Sequence, residues 1–291
     1  MPIVISSNVA ALKVQNELTR ATTALNTSLE RLSTGLKINS AKDDPAGYYY
    51  SQGIYSQVRG SNIAYNNVQI GANMLTLASG DLTNINTQVE RIKDLATQYA
   101  NSTLSAEEQA AIKAEASQRV AEINRIVSDS KFNKLQLLDG SQGSALRLQV
   151  GSGSDPSTNA IYIKGVFDNA DAAALNLIGG SSKFSSIDEA FANASAAAEF
   201  IDIAQASADI VTKRIADAGV YSSRLESVTN SLLTRNENLN SAYSTVVEAD
   251  VATETSNYIK YSLIQQTASS MLAQANQLQG SLAMKLVSVL G

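Results

Sequence analysis

Ile264-Gln265-Gln266-Thr267-Ala268-Ser269-Ser270-Met271-Leu272-Ala273-Gln274-Ala275-Asn276-Gln277-Leu278, continued to Leu282, is the stretch on which the fold turns. Ile264, Ala268, Met271, Ala275, Leu278 and Leu282 recur in alternating steps of four and three, the spacing that draws one line along a helix and makes a coiled-coil seam. Leu263, Leu272, Met284, Val287 and Leu290 fall well off that line when each residue is turned by about 100°. A single partner helix would leave them in water. From Asp250 onward only Asp250, Glu254, Lys260 and Lys285 are charged, so the segment is neither a solvated tail nor a membrane span. The pattern predicts a helix that needs several neighbours.

A matching seam lies at the other terminus. From about Ile5 to Thr34, Ala11, Leu18, Leu25, Leu29 and Leu32 keep heptad spacing among polar neighbours. Gly35 is placed to end this helix in a left-handed conformation. In the polar connection Asn39 to Pro45, Asp44 reads as an N-cap and Pro45 as the first residue of the next helix.

Composition removes most chemistry. The 291 residues contain neither Cys nor His, which excludes disulfides, thiolate metal sites and the commonest general base. Asp43-Asp44 reads as turn and cap, not as a catalytic or metal-binding carboxylate pair. A net charge of −5 argues against nucleic acid as a partner. No apolar run is long enough for membrane insertion, and the N-terminus lacks the pattern of a cleavable signal. The expectation is a non-enzyme with no cofactor and no metal.

Along the middle of the chain, 46 to 99 reads as one long helix burying Ile54, Val58, Ile63, Val68, Ile70, Leu75, Leu82, Ile85, Val89, Ile92 and Leu95. Gly53, Gly60, Gly71 and Gly80 interrupt it, each costing about 1 kcal/mol against Ala, so close packing is expected there. Ser105 and Glu108 fit a capping box for a helix running to about Asp129, with Glu115 and Arg119 four apart. Alternating runs at 145–150 and 160–167, joined by a Gly- and Ser-rich turn, predict a hairpin. The Gly151-Ser152-Gly153 turn precedes no helix and carries no Lys, so it is not a phosphate cradle. A second capping box at Ser186 and Glu189 is expected to open a long helix ending near Leu239.

The fold class expected is therefore mainly α. Long antiparallel helices form a terminal coiled coil (1–44 with 247–291), and a rod-like helical domain (45–246) carries β-hairpins near 140–180. An Ala-rich seam between only two helices buries little area, so the termini are expected to be loosely ordered in a free monomer and ordered on assembly.

Several of these runs resemble bacterial flagellin: Ser6-Ser7-Asn8-Val9-Ala10-Ala11-Leu12, Glu30 through Gly47, Glu248 through Glu254, and Gln274-Ala275-Asn276-Gln277. The resemblance covers about the first 140 and last 100 residues. It implies terminal helices lining the inner tube of a filament, a helical body with its hairpin forming the outer wall, and self-assembly used for motility. A hook-filament junction protein shares the terminal plan and is the alternative. The resemblance further implies an extracellular location reached through the flagellar export channel without signal cleavage. The partners it implies are copies of the chain itself, an export chaperone on the C-terminal segment, and the filament cap and hook-filament junction proteins. Residues 88–98 are similar to the flagellin segment read by a flagellin-sensing Toll-like receptor, which would make Arg91, Leu95 and Glu115 its contacts. The chain departs from the pattern at Tyr48-Tyr49-Tyr50, where relatives carry small or aliphatic residues, and its middle is too short for the outer domains that relatives insert.

Overall fold

In the computed structural model, which describes residues 8–142 and 145–290 (for 282, 283 and 285–290 the backbone alone), the chain forms seven helices and two small antiparallel strand pairs among the described residues. The elements are α1 (Val9–Thr34), α2 (Pro45–Tyr99), α3 (Ala106–Asp129), β1 (Lys131–Phe132), β2 (Leu135–Gln136), β3 (Leu146–Gln149), α4 (Pro156–Asn159), β4 (Ala160–Ile163), α5 (Ile187–Ala190), α6 (Ala194–Val247) and α7 (Val251–Leu290). Two compact units result. The terminal unit takes the described residues up to Ser56 and from Asn238 onward, and the central unit is Gln57–Glu237. The division falls inside α2 and α6.

Local chemistry sets the helix ends. Asn8 caps α1 by accepting from the Ala11 N–H at 2.9 Å, and Gly35 ends it at φ 72°, donating its N–H to Arg31 O. Asp43 accepts from Asn39 N, Ser40 N and Ser40 Oγ, closing the turn, while Asp44 accepts from Ala46 N and Gly47 N at the start of α2. Both aspartates act as turn and cap residues. Asp250 does the same for α7 through Ala252 N and Thr253 N. The Ser105–Glu108 capping box of α3 is complete.

The central core gathers Leu75, Leu82, Ile85, Val89, Ile92 and Leu95 of α2, Ile123 and Val127 of α3, and Phe200, Ala204, Ala208 and Val211 of α6. Phe191 packs edge-on to Tyr99 at 5.1 Å and against Phe200 at 5.7 Å. The hairpin pairs Leu146 with Ile163 through Gln149 with Ala160, and its connection contains the single turn α4, capped by Asp155. A second hairpin, β1 with β2, turns through Asn133 and Lys134, both at positive φ. Its strands of two residues are too short to show as alternation.

Three expectations need correction. Ile63 and Ile70 are exposed, because Ser61, Ala64, Val68 and Gly71 occupy the buried face of α2. The long helix does not open at Ser186: Ser186 Oγ accepts from Glu189 N, but the Glu189 carboxylate accepts from Ser185 N, so the box is incomplete and α5 ends after one turn. Asn193 caps α6 instead, accepting from Ala196 N at 2.9 Å, and α6 runs past Leu239 to Val247. Of the four glycines in α2, a Cβ at Gly60 would lie 2.5 Å from Ser152 Cβ and one at Gly71 would lie 2.4 Å from Leu148 Cδ2, but nothing stands within 4 Å at Gly53 or Gly80.

Candidate assembly surface

Within the terminal unit α1 and α7 run antiparallel. Asn8 Nδ2 donates to Ala275 O, Gln265 Nε2 donates to Thr22 Oγ1, and Arg31 Nη1 stands 3.7 Å from Glu254 Oε2. Ala11, Val14, Leu18, Ala21, Leu25, Ser28 and Leu32 of α1 are buried or half-buried in steps of three and four, with Thr22, Ala24, Thr27 and Arg31 half-buried beside them. Leu29 falls one position off this line and is exposed. Val14, Ala21 and Ser28 complete the seam; two of them are small and one of those is polar, so the heptad pattern does not display them. The connections from α1 to α2 and from α6 to α7, both in this unit, also touch, through Lys37 N to Val247 O at 2.7 Å and Ala249 N to Gly35 O at 2.9 Å.

The seam of α7 differs from the one read in the sequence. Glu254, Tyr258, Tyr261, Gln265, Ala268, Leu272, Ala275 and Gln279 are buried or half-buried along one line of α7, with Asn257 and Ser262 half-buried beside it, and Glu254, Gln265 and Ala275 of that line meet α1. Ala268 and Ala275 belong to both lines. Ile264, Met271 and Leu278 do not face α1; they are 37%, 54% and 63% exposed. Leu272, expected to face outward, is half-buried in the seam. The reversal has a physical cause. A helix that is apolar on several faces presents more than one heptad line, and apolarity alone favours the line that stays in water, whereas the chain uses its Tyr, Gln and Ala line inside. The side chains of Leu282, Val287 and Leu290, and the chain ahead of Asn8, lie outside the described residues.

The result is a long apolar stripe in water. Leu263, Ile264, Met271, Leu278 and Met284 on α7 are exposed, as are Val9, Leu12 and Leu29 on α1. Ile264, Met271 and Leu278 share one line along α7, with Leu263 and Met284 well off it, and so many exposed large apolar side chains on a helix with hardly any charge mark an interaction site. The terminal unit carries seven basic and seven acidic residues, so the whole net charge of −5 resides in the central unit.

In the central unit Arg91 Nε and Nη2 donate to the two oxygens of Glu115 at 2.9 and 3.1 Å, and Arg119 reaches both Glu115 and Gln88. Leu95 is 1% exposed and belongs to the core, so it is not available for direct contact on the folded unit. The bond from Arg91 is the main reason the Glu115 carboxyl is held below its usual range. A depressed carboxyl contributes stability above the unfolded value and loses it as pH falls through the folded one. The thermal midpoint of Glu115→Gln should therefore lie below the parent's at neutral pH, and the two should converge under acid; a gap independent of pH would contradict this origin.

No group of three or more Asp or Glu side chains suited to a metal occurs among the described residues. A groove of about 390 Å³ beside Asn124, Asp139, Asn169 and Asp171 has its polar groups already engaged: Asn124 accepts from Ala172 N, Asp171 from Ala174 N, and Asp139 from Ser141 N.

Residues 5–143 match the N-terminal helical region of bacterial flagellin and residues 201–285 match its C-terminal helical region. The flagellar filament 33 kDa core protein of Treponema phagedenis is 33% identical over 94% of this chain and 96% of its own length. Flagellin FlaB2 of Treponema pallidum is 31% identical with the same coverage. A flagellin crystal structure from Bacillus cereus aligns at 23% identity and a TM-score of 0.48, covering 57% of this chain and 88% of that one.

Proposed function

The chain belongs to the bacterial flagellin family, and from that premise we propose how its parts serve the filament. It is a structural subunit of the extracellular flagellar filament, and the matched regions and relatives favour this over a hook-filament junction protein. The segments 1–44 and 247–291 are the proposed inner-core part, and 45–246 the outer part. Ala11, Leu18, Leu25, Leu32, Ala268 and Ala275 join α1 to α7, while Leu29, Ile264, Met271 and Leu278 meet neighbouring subunits. Leu282 is assigned to the same subunit contacts.

The observation that carries this reading is the apolar stripe on α7, exposed on a helix with hardly any charge. Buried against neighbours, each large apolar side chain would contribute about 1.5–3 kcal/mol. Assembly makes and breaks no covalent bond. The same stripe is a hazard in the free chain, which supports an export chaperone that covers it before secretion, followed by the cap protein at the growing tip and the junction proteins at the base. Export without leader cleavage belongs to this reading and is read from the intact mass of filament protein. A flagellin-sensing Toll-like receptor is the proposed reader of the Arg91 and Glu115 face, with buried Leu95 holding α2 in place beneath it.

Seeded assembly of the purified protein, followed by electron microscopy, tests the function. Filaments are expected from the full chain, and none after removal of about 30 residues from either end, a length near that of α1. Filaments from both truncated forms would sink the scheme.

A further inference from the structure

The chain has no Cys, so oxidation cannot join two of its side chains through sulfur, and Met takes up an oxygen atom without forming a link. With Trp absent as well, the eleven Tyr are the side chains that a one-electron oxidant meets first. Oxidation joins phenols only where two rings stand together. Among the described residues one pair of phenols does so. Tyr55 of α2 and Tyr243 of α6, both in the terminal unit, have ring centroids 6.1 Å apart and an interplanar angle of 40°. The other aromatic pairs among the described residues each contain a Phe, which has no phenolic proton to give up.

The placement favours reaction of these two rings with each other. Tyr55 is 48% exposed and Tyr243 is half-buried, so an oxidant in solution reaches the pair while each ring is held on its own helix. Tyr48, Tyr49 and Tyr50 lie one to two turns away on α2, and Tyr49 is 84% exposed. Among the described residues no second ring stands beside any of the three. Exposure alone would select Tyr49, whereas proximity selects Tyr55. Two directly bonded phenol rings are twisted, and this pair already stands tilted, so what remains is an approach within reach of rotation about the side-chain bonds of partly exposed residues.

We propose that Tyr55 and Tyr243 are an oxidative cross-linking site, joined into a dityrosine staple between α2 and α6 by hydrogen peroxide acting through a haem peroxidase. Each phenol gives up one electron and its hydroxyl proton, and the two phenoxyl radicals join through the ring carbons ortho to oxygen, one Cε of each residue. The hydrogens on the two bonded carbons then move to the oxygens, which restores both hydroxyls. The peroxide O–O bond breaks and takes up the two electrons and two protons as two waters. The site rests on the geometry of a single chain and goes beyond the filament reading: it gives an extracellular protein without cysteines a covalent link between helices far apart in sequence. Dilute monomer treated with hydrogen peroxide and peroxidase, then digested and read by dityrosine fluorescence and mass spectrometry, tests it. The expected product is a cross-linked peptide carrying Tyr55 and Tyr243 of one chain. Its formation should speed migration of the denatured protein and raise the thermal midpoint, because the staple restricts the unfolded chain. Tyr55→Phe and Tyr243→Phe keep both rings, and each should lose the product, whereas Tyr49→Phe should retain it. Dityrosine that persists in the Tyr55→Phe and Tyr243→Phe chains, that joins separate chains at this dilution, or that fails to form in the parent would overturn the site and leave the filament reading intact.

Discussion

Met271→Asp combined with Leu278→Asp should abolish filament formation while leaving the monomer folded. The two side chains are 54% and 63% exposed and take no part in the seam with α1. Surface substitutions away from caps and cores usually change stability by less than about 0.5 kcal/mol, so helicity and the central unit's melting should match the parent. In a filament the same positions would be dry. Each replacement forfeits the burial of a large apolar side chain, about 1.5–3 kcal/mol, and adds the desolvation of an unpaired carboxylate. Even the lower end of that sum for two positions exceeds about 3 kcal/mol, which raises the critical concentration more than a hundredfold. Circular dichroism of the monomer, sedimentation after seeding and electron microscopy together read the result. Leu272→Asp is the contrasting control: it enters the internal seam and should loosen the α1–α7 pair even in the monomer. Filaments at parental yield from the Met271, Leu278 double variant would remove the α7 stripe from the assembly surface.

That contrast also marks where sequence reasoning succeeded and where it ran out. The caps were legible because each rests on a local hydrogen bond that its residue type announces: Asp44 before Pro45, Gly35 after Thr34, Ser105 with Glu108. The hairpin at 146–163 was legible from alternation. What sequence did not decide was which of several apolar lines on α7 faces its own chain. The internal line contains Glu254, Tyr258, Gln265 and Gln279, which a search for hydrophobic seams rejects, although Gln265 donates to Thr22 and Glu254 stands beside Arg31 of α1, and the more apolar line is left in water. The break at Phe191 to Asn193 was missed for a related reason. Ser186 and Glu189 carry the signature of a box, but Glu189 bonds the N–H one residue further back, a difference of a single backbone donor. Ile63 and Ile70 were misassigned because the neighbours that pack beside the α2 glycines, Ser152 and Leu148, come from a hairpin some eighty residues away.

Arg31 and Glu254 make the second strong expectation. Glu254 is 7% exposed, it is the one buried acidic residue of the described seam, and its only ion-pair partner there is Arg31. The Arg31 Nε is itself buried without a partner. A charged pair in a seam of Ala, Leu and Tyr is a poor source of stability, because desolvation offsets most of the attraction. It is a good source of alignment. Both helices repeat every seven residues, so sliding one past the other by a heptad still sets apolar groups against apolar groups, while the charged pair Arg31 and Glu254 is parted and the neutral hydrogen bond from Gln265 to Thr22 is lost with it. Glu254→Gln should therefore destabilise the α1–α7 pair by about 2 kcal/mol, less than a fully buried pair because Arg31 retains some solvent. Arg31→Met with Glu254→Leu should regain most of that stability but lose the register. The absence of native cysteines makes this measurable. Thr22 and Gln265, hydrogen-bonded at 3.2 Å, can be replaced by Thr22→Cys and Gln265→Cys, and the yield of the intramolecular disulfide reports alignment. The parent background should cross-link efficiently, Glu254→Gln less so, and the doubly apolar background least, despite a thermal midpoint above that of Glu254→Gln. Equal cross-linking in all three would mean that the helices find their alignment without the pair, and that Glu254 is held in the seam for a reason other than register.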